Sequence, residues 1–299
     1  MSSHLLKGII PALYTAYDDE GNVSPEGTAK LVRSLIDAGV HGFFVCGTTG
    51  EGLLLDVQER KEVVAAVVGE VKGQVPVMIH VGAMCTRDSI ALARHAASLG
   101  ASAISSIPPI YYPYSWPETV QYFRDLAAAT DLPFYIYYIP QLAGGRIAPE
   151  QFVEDLVSIP GVVGMKFSSL QLYDMYRIGL LAGPSFNLLS GPDELMVPAA
   201  LLGAQGAVGS SYNFMPKPFL EAYTALQRGD LAAARDLQLR VNHAIELYHK
   251  YGFGLGKALL RLQGLECGDP RPPLQPLPAT RWPELRQDLE KLGFFDWAR

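Results

Sequence analysis

Gly8-Ile9-Ile10-Pro11-Ala12-Leu13, followed at once by Tyr14-Thr15-Ala16-Tyr17, is the stretch that decides the fold. The first six residues form a short apolar run of the kind that makes a strand buried on both faces. An open, doubly wound dinucleotide sheet would place a GxGxxG turn directly behind such a first strand, where bare backbone can approach a pyrophosphate. Tyr14 to Tyr17 contains no glycine, so that architecture lacks its signature at the first step.

Seven more apolar runs follow: Gly42–Cys46, Val75–Val81, Ala103–Ile107, Phe134–Tyr138, Val162–Met165, Asn187–Leu189 and Gly206–Val208. Amphipathic segments with helix start signals lie between them. Ser24 before Pro25 reads as an N-cap with proline in the first turn, and Asp56/Glu59 and Ser115/Glu118 have capping-box spacing. Gly39, Gly73 and Gly100 stand where left-handed helix ends are expected. Eight strand–helix units predict an α/β fold, a closed (β/α)8 TIM barrel of parallel strands.

Residues 1–215 are expected to form the barrel core. Residues 216–299 are expected to supply the last barrel helix and a C-terminal helical extension packed on the barrel as a single unit. That tail is broken by Gly252-Phe253-Gly254 and by a proline-rich stretch from Pro270 to Pro278. Its Pro273-Leu274-Gln275-Pro276 reads as a PxxP ligand or as a rigid turn between helices.

Composition narrows the function classes. The chain of 299 residues is 49% hydrophobic and 18% charged, enough apolar material for one large core, and its net charge of −6 argues against a nucleic-acid surface. Met1 to Ile10 lacks the features of a signal peptide, and no stretch has the length and apolarity of a membrane span. Cys46, Cys85 and Cys267 include no CxxC pair, which favours reduced thiols and a cytoplasmic protein. Cys46 sits in an apolar run, as a packed core thiol does. His4, His41, His80, His95, His243 and His249 are scattered without ligand spacing, so no metal is expected.

The active site of such a barrel is built at the C-terminal strand ends. Behind the second strand, Gly47-Thr48-Thr49-Gly50-Glu51 offers two hydroxyls and bare N–H groups that can converge on a carboxylate, or that can simply satisfy a local turn. Behind the sixth comes Lys166. A lysine at an apolar barrel mouth is partly desolvated, its pKa is lowered, and its amine can condense with a ketone; the alternative is a lysine that snorkels to the rim. Tyr137, late in the fifth strand, has the reach of a proton relay, although strand-end tyrosines also serve as core. Asp193 and Glu194 fit an N-cap and first-turn acid, or acceptors for vicinal hydroxyls. Ser210 fits a hydroxyl partner or a turn.

Taken together, Gly47-Thr48-Thr49-Gly50-Glu51, Tyr137-Tyr138-Ile139-Pro140 and Gly164-Met165-Lys166-Phe167-Ser168-Ser169 resemble the dihydrodipicolinate synthase / N-acetylneuraminate lyase superfamily over nearly the whole chain. The resemblance implies a Schiff-base enzyme acting on pyruvate or 2-keto acids, with Lys166 as imine former and Tyr137 as relay. It implies that Thr48 and Thr49 bind the substrate carboxylate. Pro109-Ile110-Tyr111-Tyr112 resembles the loop whose tyrosine, here Tyr111, crosses into a neighbouring subunit's site, and because members of the family are commonly pairs of dimers the resemblance also implies a homotetramer.

Leu142 stands where the synthases carry an arginine, and Gly191-Pro192-Asp193-Glu194 and Ser210 look like the lyase branch, in which these residues hold the polyol tail. The resemblance therefore implies sialic-acid cleavage, with no cofactor beyond the imine and a small-molecule 2-keto acid as partner rather than nucleic acid or membrane. Tyr138 departs from a common asparagine, and Ser168 from a threonine that contacts substrate in some lyases. The alternatives are a 2-keto-3-deoxy sugar acid aldolase or dehydratase, a dihydrodipicolinate synthase, and a non-catalytic keto-acid binding protein.

Overall fold

A computed structural model describes residues 5–299. Eight parallel strands follow one another round a ring: β1 Gly8–Pro11, β2 Phe43–Val45, β3 Val77–His80, β4 Ala103–Ser106, β5 Phe134–Tyr138, β6 Val162–Phe167, β7 Asn187–Ser190 and β8 Gly206–Gly209. β1 pairs with β8, and a parallel bridge from Ala12 to Phe44, with the Leu13 N–H donating to Phe44 O at 2.9 Å, closes β1 on β2. That one bridge brings the two ends of the sheet together, so the barrel is nearly closed and little edge is left to protect among the described residues.

The crossovers are α1 Pro25–Asp37, α2 Val57–Val71, α3 Thr86–Ser98, α4 Trp116–Ala127, α5 Pro149–Phe152 (continued by a π turn, Val153–Val157), α6 Leu172–Ala182 and α7 Met196–Leu201. α8 Pro216–Gln227 packs back on β1. Local chemistry starts these helices where the spacing predicted. Ser24 caps Gly27 N, and both Asp56/Glu59 and Ser115/Glu118 form reciprocal capping boxes. Gly39, Gly73 and Gly100 all have positive φ just past helix ends.

Strand alternation sorts the side chains into two cores. Ile10, Phe44, Met78, Tyr135, Tyr137, Leu189 and Val208 fill the barrel interior. Phe134, Ile136, Tyr138, Met165 and Phe167 belong to the larger layer between sheet and helices.

The strands deviate from their apolar runs by a few residues, and one deviation matters. β6 continues through Lys166 to Phe167, so the lysine lies within the strand rather than behind it. The ladder explains this: Lys166 pairs with Tyr137 on one side and Leu189 on the other, and the Ser168 N–H still reaches Tyr138 O at 2.8 Å. Polarity stopped the apolar run before the backbone pairing stopped.

The rest of the tail comprises α9 Leu231–Ile245, α10 Leu247–Tyr251, α11 Leu255–Leu262, α12 Trp282–Lys291 and α13 Phe294–Trp297. The proline-rich stretch joins α11 to α12. Among the described residues, no helix is long and apolar enough to cross a membrane.

Candidate active site

β5 and β6 set the core of the site. Tyr137 and Lys166 are register partners whose side chains both turn inward. Lys166 is only 5% exposed, with Nζ 4.1 Å from the centroid of the Tyr137 ring and 4.7 Å from that of Phe44. The amine thus rests on two aromatic faces, an environment that tolerates a cation with little water around it. Burial pushes the Tyr137 phenol up. The Lys166 charge and the polar groups of Thr48, Lys166 and Ser168 beside the hydroxyl outweigh that push and hold it below the usual tyrosine value.

Facing this wall is the Gly47–Gly52 turn, closed by Glu51 N to Thr48 O and Gly52 N to Gly47 O, each 3.0 Å. Cys46 at its start and Glu51 near its end have φ of 59° and 57°, left-handed values that cost a non-glycine residue about 1–3 kcal/mol unless the surroundings hold it. Glu51 is held from the tail. Lys257 Nζ, on α11, lies 3.1 Å from Oε1 as a buried ion pair, off the axis of a hydrogen bond, and the Arg271 N–H donates to Oε2 at 2.7 Å. The Arg271 guanidinium also clasps Glu59 of α2 with two bonds of 2.7 Å. Burial pulls the Lys257 amine down against the opposing pull of Glu51.

The turn meets the wall through its hydroxyls. Thr48 Oγ1 lies 3.3 Å from the Tyr137 hydroxyl, and Thr49 Oγ1 lies 2.6 Å from Ser210 Oγ on the loop after β8. Thr48, Thr49, Tyr137, Lys166, Ser168, Gly191, Glu194 and Ser210 therefore line one cavity of about 410 Å³. Gly191 is required for its shape, because a Cβ there would sit 1.9 Å from Ser168 Oγ.

Two of the residues singled out from the sequence lie elsewhere. Asp193 sits behind the cavity wall, where its Oδ2 accepts from the Ser211 N–H at 2.8 Å and from the Ser211 hydroxyl; burial raises its carboxyl from the usual 3.8 to about 6. Tyr111 is 84% exposed at φ 81°, outside the cavity of its own chain. Tyr138, the departure beside Tyr137, points outward: it stacks on Phe167 with centroids 5.1 Å apart, and its hydroxyl accepts from the Ile147 N–H at 3.2 Å.

Gln141, Leu170 and Phe253 also line the cavity and were not anticipated. The Gly252-Phe253-Gly254 interruption was the one available signal, since two glycines isolate an aromatic there. An adjoining, mainly apolar cavity of about 370 Å³ shares Thr48 and Phe253 and is walled by Ile107, Ile110, Leu142 and Leu274. Leu142 supplies no guanidinium fork to an acidic substrate. Cys46 is packed in the core, and burial pushes its thiol up. Among the described residues no group of three or more His, Cys, Asp or Glu side chains is placed to hold a metal ion; His4 lies outside those residues.

The chain matches the model of the Dihydrodipicolinate synthetase family over residues 5–292. An N-acetylneuraminate lyase of Mediterraneibacter gnavus is 38% identical over 276 residues, covering 91% of this chain and 87% of the relative. The solved structure of a Ruminococcus gnavus sialic acid aldolase superposes with a TM-score of 0.92 at 35% identity, covering 97% of both chains. That of a Proteus mirabilis N-acetylneuraminate lyase gives 0.90 at 34% identity, covering 97% of this chain and 99% of the other. A family model matched over nearly the whole chain, and a relative 38% identical across 91% of it, show that the chain belongs to the dihydrodipicolinate synthetase family.

Proposed function

We propose that the chain is a class I aldolase that cleaves N-acetylneuraminate to pyruvate and N-acetylmannosamine. The observation that carries the reading is the Lys166 amine lying on the Tyr137 ring, in the same cavity as the hydroxyls of Thr48 and Thr49. The relatives described above support the choice of sugar acid.

In this mechanism Thr48 and Thr49 receive the carboxylate of the open-chain substrate. Lys166 adds to the C2 ketone, water leaves, and a protonated imine forms. Tyr137 removes the proton of the C4 hydroxyl. The C3–C4 bond breaks, its electron pair passes into the iminium to give an enamine, and C4 leaves as the aldehyde of N-acetylmannosamine. Proton return to C3 and hydrolysis of the imine release pyruvate and restore the amine. The imine is the electron sink, so the reading calls for no metal or organic cofactor.

Glu194, Ser168, Gly191 and Ser210 face the polyol tail in this reading, and Asp193 steadies the loop that carries Ser210 by binding Ser211. Tyr111 belongs to the site of a second copy in a homotetramer. Its strained, exposed position and an apolar cavity edged by Thr48 support that placement. The reading takes residues 216–299 as one unit with the barrel, and the three cysteines, none in a disulfide, favour a cytoplasmic enzyme.

Borohydride reduction in the presence of pyruvate, followed by peptide mapping, tests the chemistry. The adduct is expected at Lys166 and absent in Lys166→Ala; an adduct at another lysine overturns the assignment. Turnover of N-acetylneuraminate, compared with 2-keto-3-deoxygluconate and with aspartate semialdehyde plus pyruvate, tests the substrate. A preference for either of the last two replaces the sialic-acid reading while leaving the imine in place.

A further inference from the structure

His80 is a buried histidine that the mechanism does not use. It ends β3, is 3% exposed, and both ring nitrogens are engaged. The Ile107 N–H reaches Nε2 at 3.3 Å, so Nε2 is an acceptor; the proton is then on Nδ1, which donates to Cys46 O at 3.1 Å. The ring stands edge-on to Tyr137, with centroids 5.9 Å apart at 88°. Burial, Arg60 and Lys166 all hold its pKa well below the usual histidine value, consistent with one neutral tautomer.

The acceptor of the Nδ1 proton is the carbonyl of Cys46, the left-handed residue that launches the Gly47–Gly52 turn. The other left-handed residue of the turn, Glu51, is tied to Lys257 and Arg271. Both strained hinges of the turn are therefore fastened to side chains from other elements, and a strained backbone persists only where its surroundings over-determine it. We infer that His80 is a positioning residue: its Nδ1–H fixes the Cys46 hinge and so presents Thr48 and Thr49 to the substrate carboxylate, while its Nε2 fixes the end of β4. The inference rests on the carboxylate role proposed above for those threonines.

Two amide variants separate the two bonds. His80→Asn keeps a donor where Nδ1 stood and loses the acceptor for Ile107. His80→Gln keeps an acceptor where Nε2 stood and loses the donor to Cys46. Both remove the ring from Tyr137, and because Asn leaves the larger void, the packing loss alone would favour His80→Gln, opposite to the contrast expected from the Cys46 bond.

One hydrogen bond is worth about tenfold here. His80→Gln is expected to raise the pyruvate KM about tenfold above that of His80→Asn, with kcat changing alike in both. Amide hydrogen exchange gives a readout independent of activity. His80→Gln should expose the Glu51 and Gly52 amides, and His80→Asn the Ile107 amide. Equal loop protection and equal KM in the two variants, or loosening of the turn by His80→Asn, overturns the inference. Should the parent chain form no adduct with pyruvate, the proposed chemistry falls, and the exchange contrast alone decides the role of His80.

Discussion

On one side of the cavity, Tyr137 and Lys166 are neighbours because the β5–β6 ladder pairs them. On the other, Thr48 and Thr49 are presented by a turn whose two left-handed residues are gripped by His80, Lys257 and Arg271, the last 220 positions away from Glu51. The wall is placed by backbone pairing that any inward residue would inherit. The turn is placed by particular side chains, and it tolerates few of them being exchanged. The two sides should therefore fail differently: the wall by losing chemistry at unchanged stability, the turn by losing stability and carboxylate binding together.

The largest effect is expected on the wall. Tyr137→Phe keeps the ring beneath the Lys166 amine and deletes only the hydroxyl that meets Thr48. Turnover should fall by about 10²–10⁴, the usual worth of one proton-relay group, while borohydride still traps pyruvate on Lys166. Turnover within a factor of a few of the parent would remove Tyr137 from the mechanism. A large fall in the urea midpoint would show that the wall, too, depends on side-chain contacts, and the contrast would dissolve.

On the turn side, Lys257→Met leaves the Glu51 carboxylate buried beside the single Arg271 N–H. Stranding one charge of a buried pair costs about 3–5 kcal/mol, whereas removing both can be nearly neutral. Urea unfolding should therefore show a loss of that order for Lys257→Met and a smaller one for the double variant Glu51→Gln with Lys257→Met. The surviving Lys257→Met protein should bind pyruvate poorly. Additive losses in the two single variants would mean that the pair is not coupled and that the tail does not hold the turn.

The same contrast explains what was legible in the sequence. Eight apolar runs, their capping boxes and the glycines past helix ends are local signals with a period, and each fell within a few residues of its element. Lys166 and Tyr137 follow from strand position, although the lysine proved to lie inside β6 because backbone pairing outlasts hydrophobicity. Side-chain direction was harder to read. Asp193 and Glu194 are adjacent, yet only Glu194 lines the cavity while Asp193 turns back to Ser211. The grip of Arg271 on Glu51 and Glu59, and that of Lys257 on Glu51, had no signal at all. They join loops and helix ends far apart in the chain, where no spacing rule applies.

The smallest effect tests the wall from behind. Tyr138 adjoins Tyr137 and departs from the asparagine common in the family, so from sequence it falls under suspicion of altering the site. Strand alternation says otherwise, since consecutive residues face opposite sides of a sheet. Its ring lies on Phe167 in the outer layer, and its hydroxyl receives the Ile147 N–H. Tyr138→Phe should keep the stack and lose that one bond, for about 1 kcal/mol of stability by urea unfolding. The pyruvate KM and the turnover of the sugar acid should stay at parent values. A changed substrate preference without a change in stability would mean that the loop running from Ile139 to Ile147 carries the loss inward to Leu142 and Gln141. The wall would then be as dependent on a distant hydrogen bond as the turn is.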